Sequence, residues 1–194
     1  NNGELPYINF SLAITPGSFY IQALALKLFG NYIITDRILY IICVILILIL
    51  SSKLFRFSKY LNYILLLFLT LVYTGEGLFA SYNIYGVVFI LITLLLFNKL
   101  QDNDRRYIYS FLIGLTNFIV LFIKQTYGFI FFFTLLFLIA YFTRANNWFK
   151  NILFYFFGSL LLPSIVFLFS YFSGILDEFF YNLIYFALAV KNDR

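Results

Sequence analysis

Long apolar segments without charge, separated by short charged clusters, are the feature that most constrains this sequence. No Asp, Glu, Lys or Arg lies between Glu76 and Lys99 or between Lys150 and Asp177, and both segments are rich in Phe, Leu and Ile. A helix needs about 20 mostly apolar residues to cross roughly 30 Å of bilayer hydrocarbon. Several such segments exceed what one water-exposed domain can bury, so lipid is the expected solvent.

Composition agrees with a membrane environment and argues against a nucleic-acid partner. Charged residues make up 11% of the chain, whereas soluble domains contain roughly 25%. The net charge of +5 comes from basic residues in short clusters between apolar segments, not from one basic face. The chain has no His and one Cys, Cys43, so a disulfide within it is impossible and an ordinary zinc or haem site is not expected.

Six segments are predicted to be transmembrane helices, so the predicted fold class is an all-α, polytopic integral membrane protein. The predicted spans are Ile33–Ser51, Tyr60–Tyr73, Leu78–Phe97, Tyr107–Ile123, Tyr127–Phe142 and Asn151–Phe172. The second and fifth are short, and flanking residues that reach the interface allow short spans.

Two further segments, residues 17–29 and the segment after Gly174, are predicted to be short interfacial helices at the outer surface. Residues 17–29 are apolar but too short to span, and they lie between Pro16 and Gly30, a glycine placed as a helix C-cap.

The spans and the interfacial segments together are interpreted as one transmembrane domain. It consists of an outer loop with a juxtamembrane helix (1–32), six spans (33–173) and an outer interfacial segment (174–194).

The loops differ in basic residues, which predicts the orientation. Alternate loops hold eight of the thirteen Lys and Arg residues: Lys53, Arg56, Lys59, Lys99, Arg105, Arg106, Arg144 and Lys150. Because basic loops stay in the cytoplasm, both ends of the chain are predicted to be extracytoplasmic, in a multi-pass protein of the cytoplasmic (inner) membrane. Because the sequence has no initiator Met and no signal peptide, the chain is interpreted as an internal fragment.

Ionisable residues at the outer ends of the spans are the candidates for chemistry. Lys124 and Gln125 form a tight outer turn, and a lone outward lysine suits a phosphate, although it also suits a lysine that reaches the interface. Asp36 and Arg37 suit a lipid head group or the anchoring of a helix. In the first loop, Glu4 suits a general base or a solvated carboxylate, and Asn9 suits a sugar hydroxyl or a turn.

A resemblance to a known family adds to these expectations. The stretches Gly-Glu-Leu-Pro-Tyr-Ile-Asn-Phe (3–10), Thr-Pro-Gly-Ser-Phe-Tyr-Ile-Gln-Ala (15–23) and Lys-Leu-Phe-Gly (27–30), followed by Arg37, resemble the first outer loop of GT-C membrane glycosyltransferases. The closest likeness is to the family 39, dolichyl-phosphate-mannose-protein mannosyltransferase-like group. Ser81-Tyr82-Asn83 and Lys124-Gln125-Thr126-Tyr127-Gly128 are also similar. Asn9 differs from the pattern of this family, in which Asp is common at the corresponding position.

The resemblance implies transfer of a sugar from a polyprenyl-phosphate donor to a glycan, lipid or protein acceptor at the extracytoplasmic face. It implies a carboxylate base before Asn1, for which Glu4 is a substitute within the chain only if the family pattern is shifted here. Tyr7, Asn9 and Gln125 are implied to bind substrate, and Arg37 and Lys124 to steady the departing phosphate. No cofactor is specified, and a divalent cation is compatible with this chemistry.

Other classes of protein stay open from sequence. A transporter or flippase of lipid-linked glycans would also have many spans, and it predicts broken helices or charges at mid-membrane depth. A polymerase of lipid-linked glycans predicts a large outer loop with arginines. A structural membrane subunit without chemistry fits the periodicity and charge equally well.

Overall fold

The computed structural model of the protein describes residues 17–30, 33–55, 82–102, 106–143 and 147–172, together with 174, 176, 177 and 181. These residues form an all-α structure, with no strand in the described part. Its helices are α1 (Gly17–Phe29), α2 (Ile33–Phe55), α3 (Tyr82–Asp102), α4 (Arg106–Ile123), α5 (Gln125–Phe142) and α6 (Trp148–Phe172).

Five of these helices, α2 to α6, are long and apolar enough to cross a membrane. They confirm the all-α polytopic fold and five of the predicted spans. Three helices continue past the predicted ends and include Lys53, Lys99 and Lys150, because a lysine can extend its apolar stem along the helix and keep its charge at the interface. The predicted span Tyr60–Tyr73 and most of the segment 174–194 lie outside the described residues.

Helix α4 is the centre of the described bundle. It packs against α1, α3, α5 and α6, and its most extensive interface is with α6. Helix α2 joins the bundle through α3. The outer faces of α2, α5 and α6 expose many large apolar side chains, among them Ile45, Phe133 and Phe169. Such faces are stable in lipid and not in water, which agrees with a bilayer environment.

Side-chain contacts fix the relative directions of the helices. Helices α3 and α4 are antiparallel, since Asn83 bonds to Lys124 near one end and Thr93 bonds to Thr116 near the middle. Helices α4 and α6 are parallel, since Ser110 bonds to Asn151 near both helix starts. Helices α2 and α3 are also parallel, because Asp36 near the start of α2 is close enough to Tyr85 near the start of α3 to act on it electrostatically. The middle of α2 and the first half of α3 share one apolar cluster: Tyr40, Cys43, Val44 and Ile47 with Ile84, Tyr85, Val88 and Leu91.

These directions give the bundle two chemically different ends. The basic end is defined by the helix termini that carry Lys53, Lys99, Arg106 and Lys150. The opposite end, called the Lys124 end, holds the starts of α2, α3 and α5 and the end of α4. Four basic residues that the loop pattern groups together thus lie at one end, as that pattern predicts, whereas Arg37 and Lys124 lie at the other. That this end faces the cytoplasm stays a prediction.

Helix α1 lies at the Lys124 end, where it contacts α2 and α4. Its start is pressed against the backbone of Phe122, so that a Cβ on Gly17 would be 2.5 Å from the Phe122 carbonyl oxygen. It ends at Gly30, which has a φ of 96° and donates its N–H to the Leu26 carbonyl at 2.9 Å. This confirms the predicted helix from 17 to 29 and its glycine C-cap.

Candidate functional site

Lys124 is the only residue between α4 and α5, and its side chain is fixed by two contacts. Its backbone is extended, with φ −147° and ψ 104°, so the chain reverses direction within one residue. Its ammonium donates to Asn83 Oδ1 at 2.7 Å and lies 3.9 Å from the centre of the Tyr127 ring. Three helices therefore determine where this half-buried lysine places its charge.

The tight turn depends on a glycine one turn into α5. A Cβ on Gly128 would lie 2.2 Å from Leu121 Cα, which leaves no room for a side chain where α5 folds back on α4. The Gly128 N–H donates to the Lys124 carbonyl at 3.0 Å, and the Lys124 N–H donates to the Val120 carbonyl at 2.8 Å. The backbone N–H groups of Lys124 and Gly128 are thus satisfied within the turn.

The electrostatics of this arrangement favour an anion. Asn83 and Tyr127 are neutral, so neither of these two contacts brings a negative charge beside the ammonium. A lysine whose position is already fixed loses less side-chain entropy when an anion binds. A phosphate or carboxylate at this end would gain a charge-assisted hydrogen bond, worth roughly 1.5–3 kcal/mol.

A row of aromatic rings runs from α1 into the bundle beside this turn. Tyr20 of α1 stacks on Phe122 of α4 with ring centres 6.3 Å apart and planes 7° from parallel. Phe118, one turn further along α4, stacks on Phe122 at 5.8 Å. Burial raises the pKa of the Tyr20 phenol above its ordinary value, which favours the neutral form that adds no negative charge to the site.

A second polar group lies beneath α1, between α2 and α3. The Tyr85 hydroxyl is buried, with Gln22 of α1 as a polar neighbour and the Asp36 carboxylate close enough to act on it electrostatically. Asp36 is half-buried in the first turn of α2. The Lys124 end therefore contains an ammonium, a carboxylate and a phenol, all brought there by the starts of helices.

The predicted site residues fall into two groups. Lys124 and Gln125 lie at the helix junction, and Arg37 lies at the same end on the first turns of α2 with an exposed side chain. Glu4, Tyr7 and Asn9 lie outside the described residues, so their roles stay predictions.

Two residues of the site were not assigned to it from sequence. Asn83 connects α3 with the turn between α4 and α5 through its hydrogen bond with Lys124. Tyr127 was placed at the start of a span, where Tyr is common at membrane interfaces. The only sequence signal for both was their presence in the two short stretches similar to the glycosyltransferase family.

The described residues supply no group of three or more His, Cys, Asp or Glu side chains that could hold a metal ion. Asp36 is the one described carboxylate near the start of α2, and a single carboxylate is too few ligands for a protein-bound Ca²⁺. A divalent cation, for which the carboxylate of Glu4 was a candidate ligand, therefore stays a prediction.

The fold and its lipid-facing surface define the class of the protein: an all-α, multi-pass integral membrane protein. No protein-family model matches the sequence, and no curated protein or solved structure shows significant similarity to it.

Proposed function

We propose that the protein is a membrane glycosyltransferase that moves a sugar from a polyprenyl-phosphate donor to a glycan, lipid or protein acceptor at the extracytoplasmic face. The observation that carries the proposal is Lys124, held between Asn83 and Tyr127 at the end of the bundle opposite the basic loops. In this proposal the Lys124 end is the outer face, because basic loops stay in the cytoplasm.

The role of Lys124 follows from the chemistry of the donor. When the bond between sugar and phosphate breaks, negative charge accumulates on the departing polyprenyl phosphate. A fixed ammonium stabilises this charge more in the transition state than in the ground state, and such an interaction raises the turnover rate. Arg37, at the same end, is the second cation assigned to the phosphate.

The surroundings of Lys124 suit a lipid-linked substrate. The aromatic row of Tyr20, Phe122 and Phe118 leads from the Lys124 end into the apolar bundle. A polyprenyl chain in the bilayer can pack against such an apolar surface beside the site of its phosphate, through van der Waals contact and not through exclusion from water. The acceptor base is assigned to a carboxylate outside the described residues, with Glu4 as the candidate in this chain.

A transporter or flippase of lipid-linked glycans is the competing function, with a polymerase of such glycans as a related enzyme. The interiors of the described spans contain no Asp, Glu, Lys or Arg, and their charged residues lie near the helix ends. Transport of a charged head group through the bundle predicts ionisable residues at mid-depth. Among the described helices the distribution of charged residues therefore favours chemistry at one membrane face over transport of a charged head group through the bundle.

The test is a transfer assay with the purified protein and radiolabelled polyprenyl-phosphate sugars. The test variant is Lys124→Met, which removes the charge and keeps a similar volume. Lys150→Met is the matched control, since Lys150 also lies over an aromatic ring, Tyr107 at 4.4 Å, but at the basic end. We expect Lys124→Met to lower turnover by about 100-fold, as loss of one stabilising donor does elsewhere, and Lys150→Met to keep wild-type turnover.

Two results would contradict the proposal. One is the absence of transfer from every polyprenyl-phosphate sugar by folded protein that moves lipid-linked glycan across liposomes, which would identify a transporter. The other is equal turnover of Lys124→Met and wild type, which would remove Lys124 from the reaction. Lys124→Arg separates charge from shape, because it retains the cation and should keep more activity than Lys124→Met.

A further inference from the structure

Tyr155 is the centre of a buried hydrogen-bond network that joins three spans. Its hydroxyl is fully buried and receives a hydrogen bond from Asn117 Nδ2 of α4 at 3.3 Å. The same hydroxyl donates to the carbonyl of Phe132 on α5 at 3.1 Å. Each of these three residues lies at least six positions from the end of its helix, so the network is in the apolar part of the bundle.

The protons of this network leave one acceptor unused. The single hydroxyl proton of Tyr155 goes to the Phe132 carbonyl, so the Tyr155 oxygen must accept from Asn117, and the amide must face it with Nδ2. Rotating the amide by 180° would only exchange an unused oxygen for an unused N–H pair. Asn117 is 1% exposed, and its Oδ1 has no hydrogen-bond partner among the described residues.

A second polar group at the same helix contact is also unused. Ser159 is 7% exposed, and its hydroxyl lies beside the Tyr155 phenol without reaching the distance and angle of a regular hydrogen bond in the described part of the chain. A serine in a helix normally donates to the carbonyl four residues earlier, as Ser164 does to Leu160 at 2.8 Å. Ser159 does not make this bond, so its hydroxyl is directed elsewhere.

We propose that a single ordered water molecule is bound inside the bundle, where it donates to Asn117 Oδ1 and bonds with the hydroxyls of Ser159 and Tyr155. A buried water typically makes about three hydrogen bonds to groups that otherwise have none. Leaving both groups unpaired in an apolar interior would cost free energy at each of them, which one water removes. The site lies on α4 and α6, away from Lys124, and is independent of the proposed transferase function.

The water is tested by radiolytic hydroxyl labelling of the protein in lipid nanodiscs, with mass spectrometry of the labelled residues. X-rays produce hydroxyl radicals from bound water, which oxidise the nearest side chains even where bulk solvent has no access. Tyr155 is the reporter. Phe97, which is buried in an apolar cluster, is the internal reference after correction for intrinsic reactivity.

We expect Tyr155 to be labelled several-fold faster than Phe97 in the wild type, and to fall to the Phe97 level in the double variant Asn117→Leu, Ser159→Ala. Wild-type labelling of Tyr155 no faster than Phe97 would overturn the proposal, as would unchanged labelling in a folded double variant. If the double variant fails to fold, a high-resolution map of the wild type decides. Density for a water molecule within hydrogen-bond distance of Asn117 Oδ1 supports the proposal. A direct hydrogen bond from the Ser159 hydroxyl to Asn117 Oδ1, without such density, refutes it.

Discussion

Replacement of Gly114 or Gly158 by alanine is expected to force α4 and α6 apart. A Cβ on Gly114 would lie 2.1 Å from the Tyr155 carbonyl oxygen, and a Cβ on Gly158 would lie 2.0 Å from the Phe111 carbonyl oxygen. Ordinary contact begins at 3.4 Å, so the Gly114 variant is short by 3.4 − 2.1 = 1.3 Å. Backbone atoms cannot rotate away as a flexible side chain can, so the helices must separate.

The size of the effect follows from two opposing contributions. Alanine in place of glycine favours a helix by up to about 1 kcal/mol. Overpacking of a close contact costs about 1–3 kcal/mol, and here the separation also weakens the hydrogen bonds of Asn117 and Ser110 to α6. We expect each variant to lose about 2 kcal/mol of unfolding free energy, within the range of such overpacking.

Unfolding in mixed detergent, followed by helical circular dichroism, measures this loss. Gly86→Ala is the matched control, because Gly86 is also in a spanning helix and its Cβ would meet only a Tyr127 side-chain atom at 4.0 Å. We expect the control to be as stable as the wild type or more so. Equal stability of Gly114→Ala and Gly86→Ala would refute the close packing of α4 on α6.

Three further predictions follow from the helix contacts. Tyr155→Phe removes the hydrogen bonds of the phenol to Asn117 and to the Phe132 carbonyl and should cost about 1 kcal/mol of unfolding free energy; no loss would show that the network does not stabilise the fold. Thr93→Val and Thr116→Val should be coupled by about 0.6 kcal/mol in a double-mutant cycle, the usual value for such bonds between spans; strict additivity would contradict the bond. Because α2 and α3 are parallel, Lys53→Cys and Lys99→Cys in a cysteine-free background should react with an impermeant maleimide only after cells are permeabilised. Reaction of one before permeabilisation and the other after it would contradict the helix directions.

The fold class and the helices were predictable because the membrane imposes a simple rule on the sequence. An uncharged apolar segment of sufficient length becomes a helix, since every backbone group must be satisfied within the segment. The helix at 17–29 was predictable from its flanking proline and glycine. The helix ends were less predictable, because lysines such as Lys53 and Lys99 extend a helix beyond its apolar part.

The contacts of the site were not predictable, since they join residues far apart in the chain. Asn83 and Lys124 are separated by 41 positions, and no local pattern connects them. The same holds for Gly114 and Gly158, whose close packing depends on how α4 and α6 cross. Sequence could indicate which residues are unusual for a membrane span, but only the packing of the helices indicates which of them meet.

Binding of a polyprenyl phosphate to the purified protein tests the central role of Lys124 most directly. The ligands are a polyprenyl monophosphate and the neutral polyprenol of the same length, titrated against wild type, Lys124→Met and Lys150→Met. We expect wild type and Lys150→Met to prefer the phosphate by about tenfold or more, which corresponds to about 1.4 kcal/mol, and Lys124→Met to lose this preference. Equal affinity of the wild type for the phosphate and the alcohol would contradict a phosphate site at the Lys124 end.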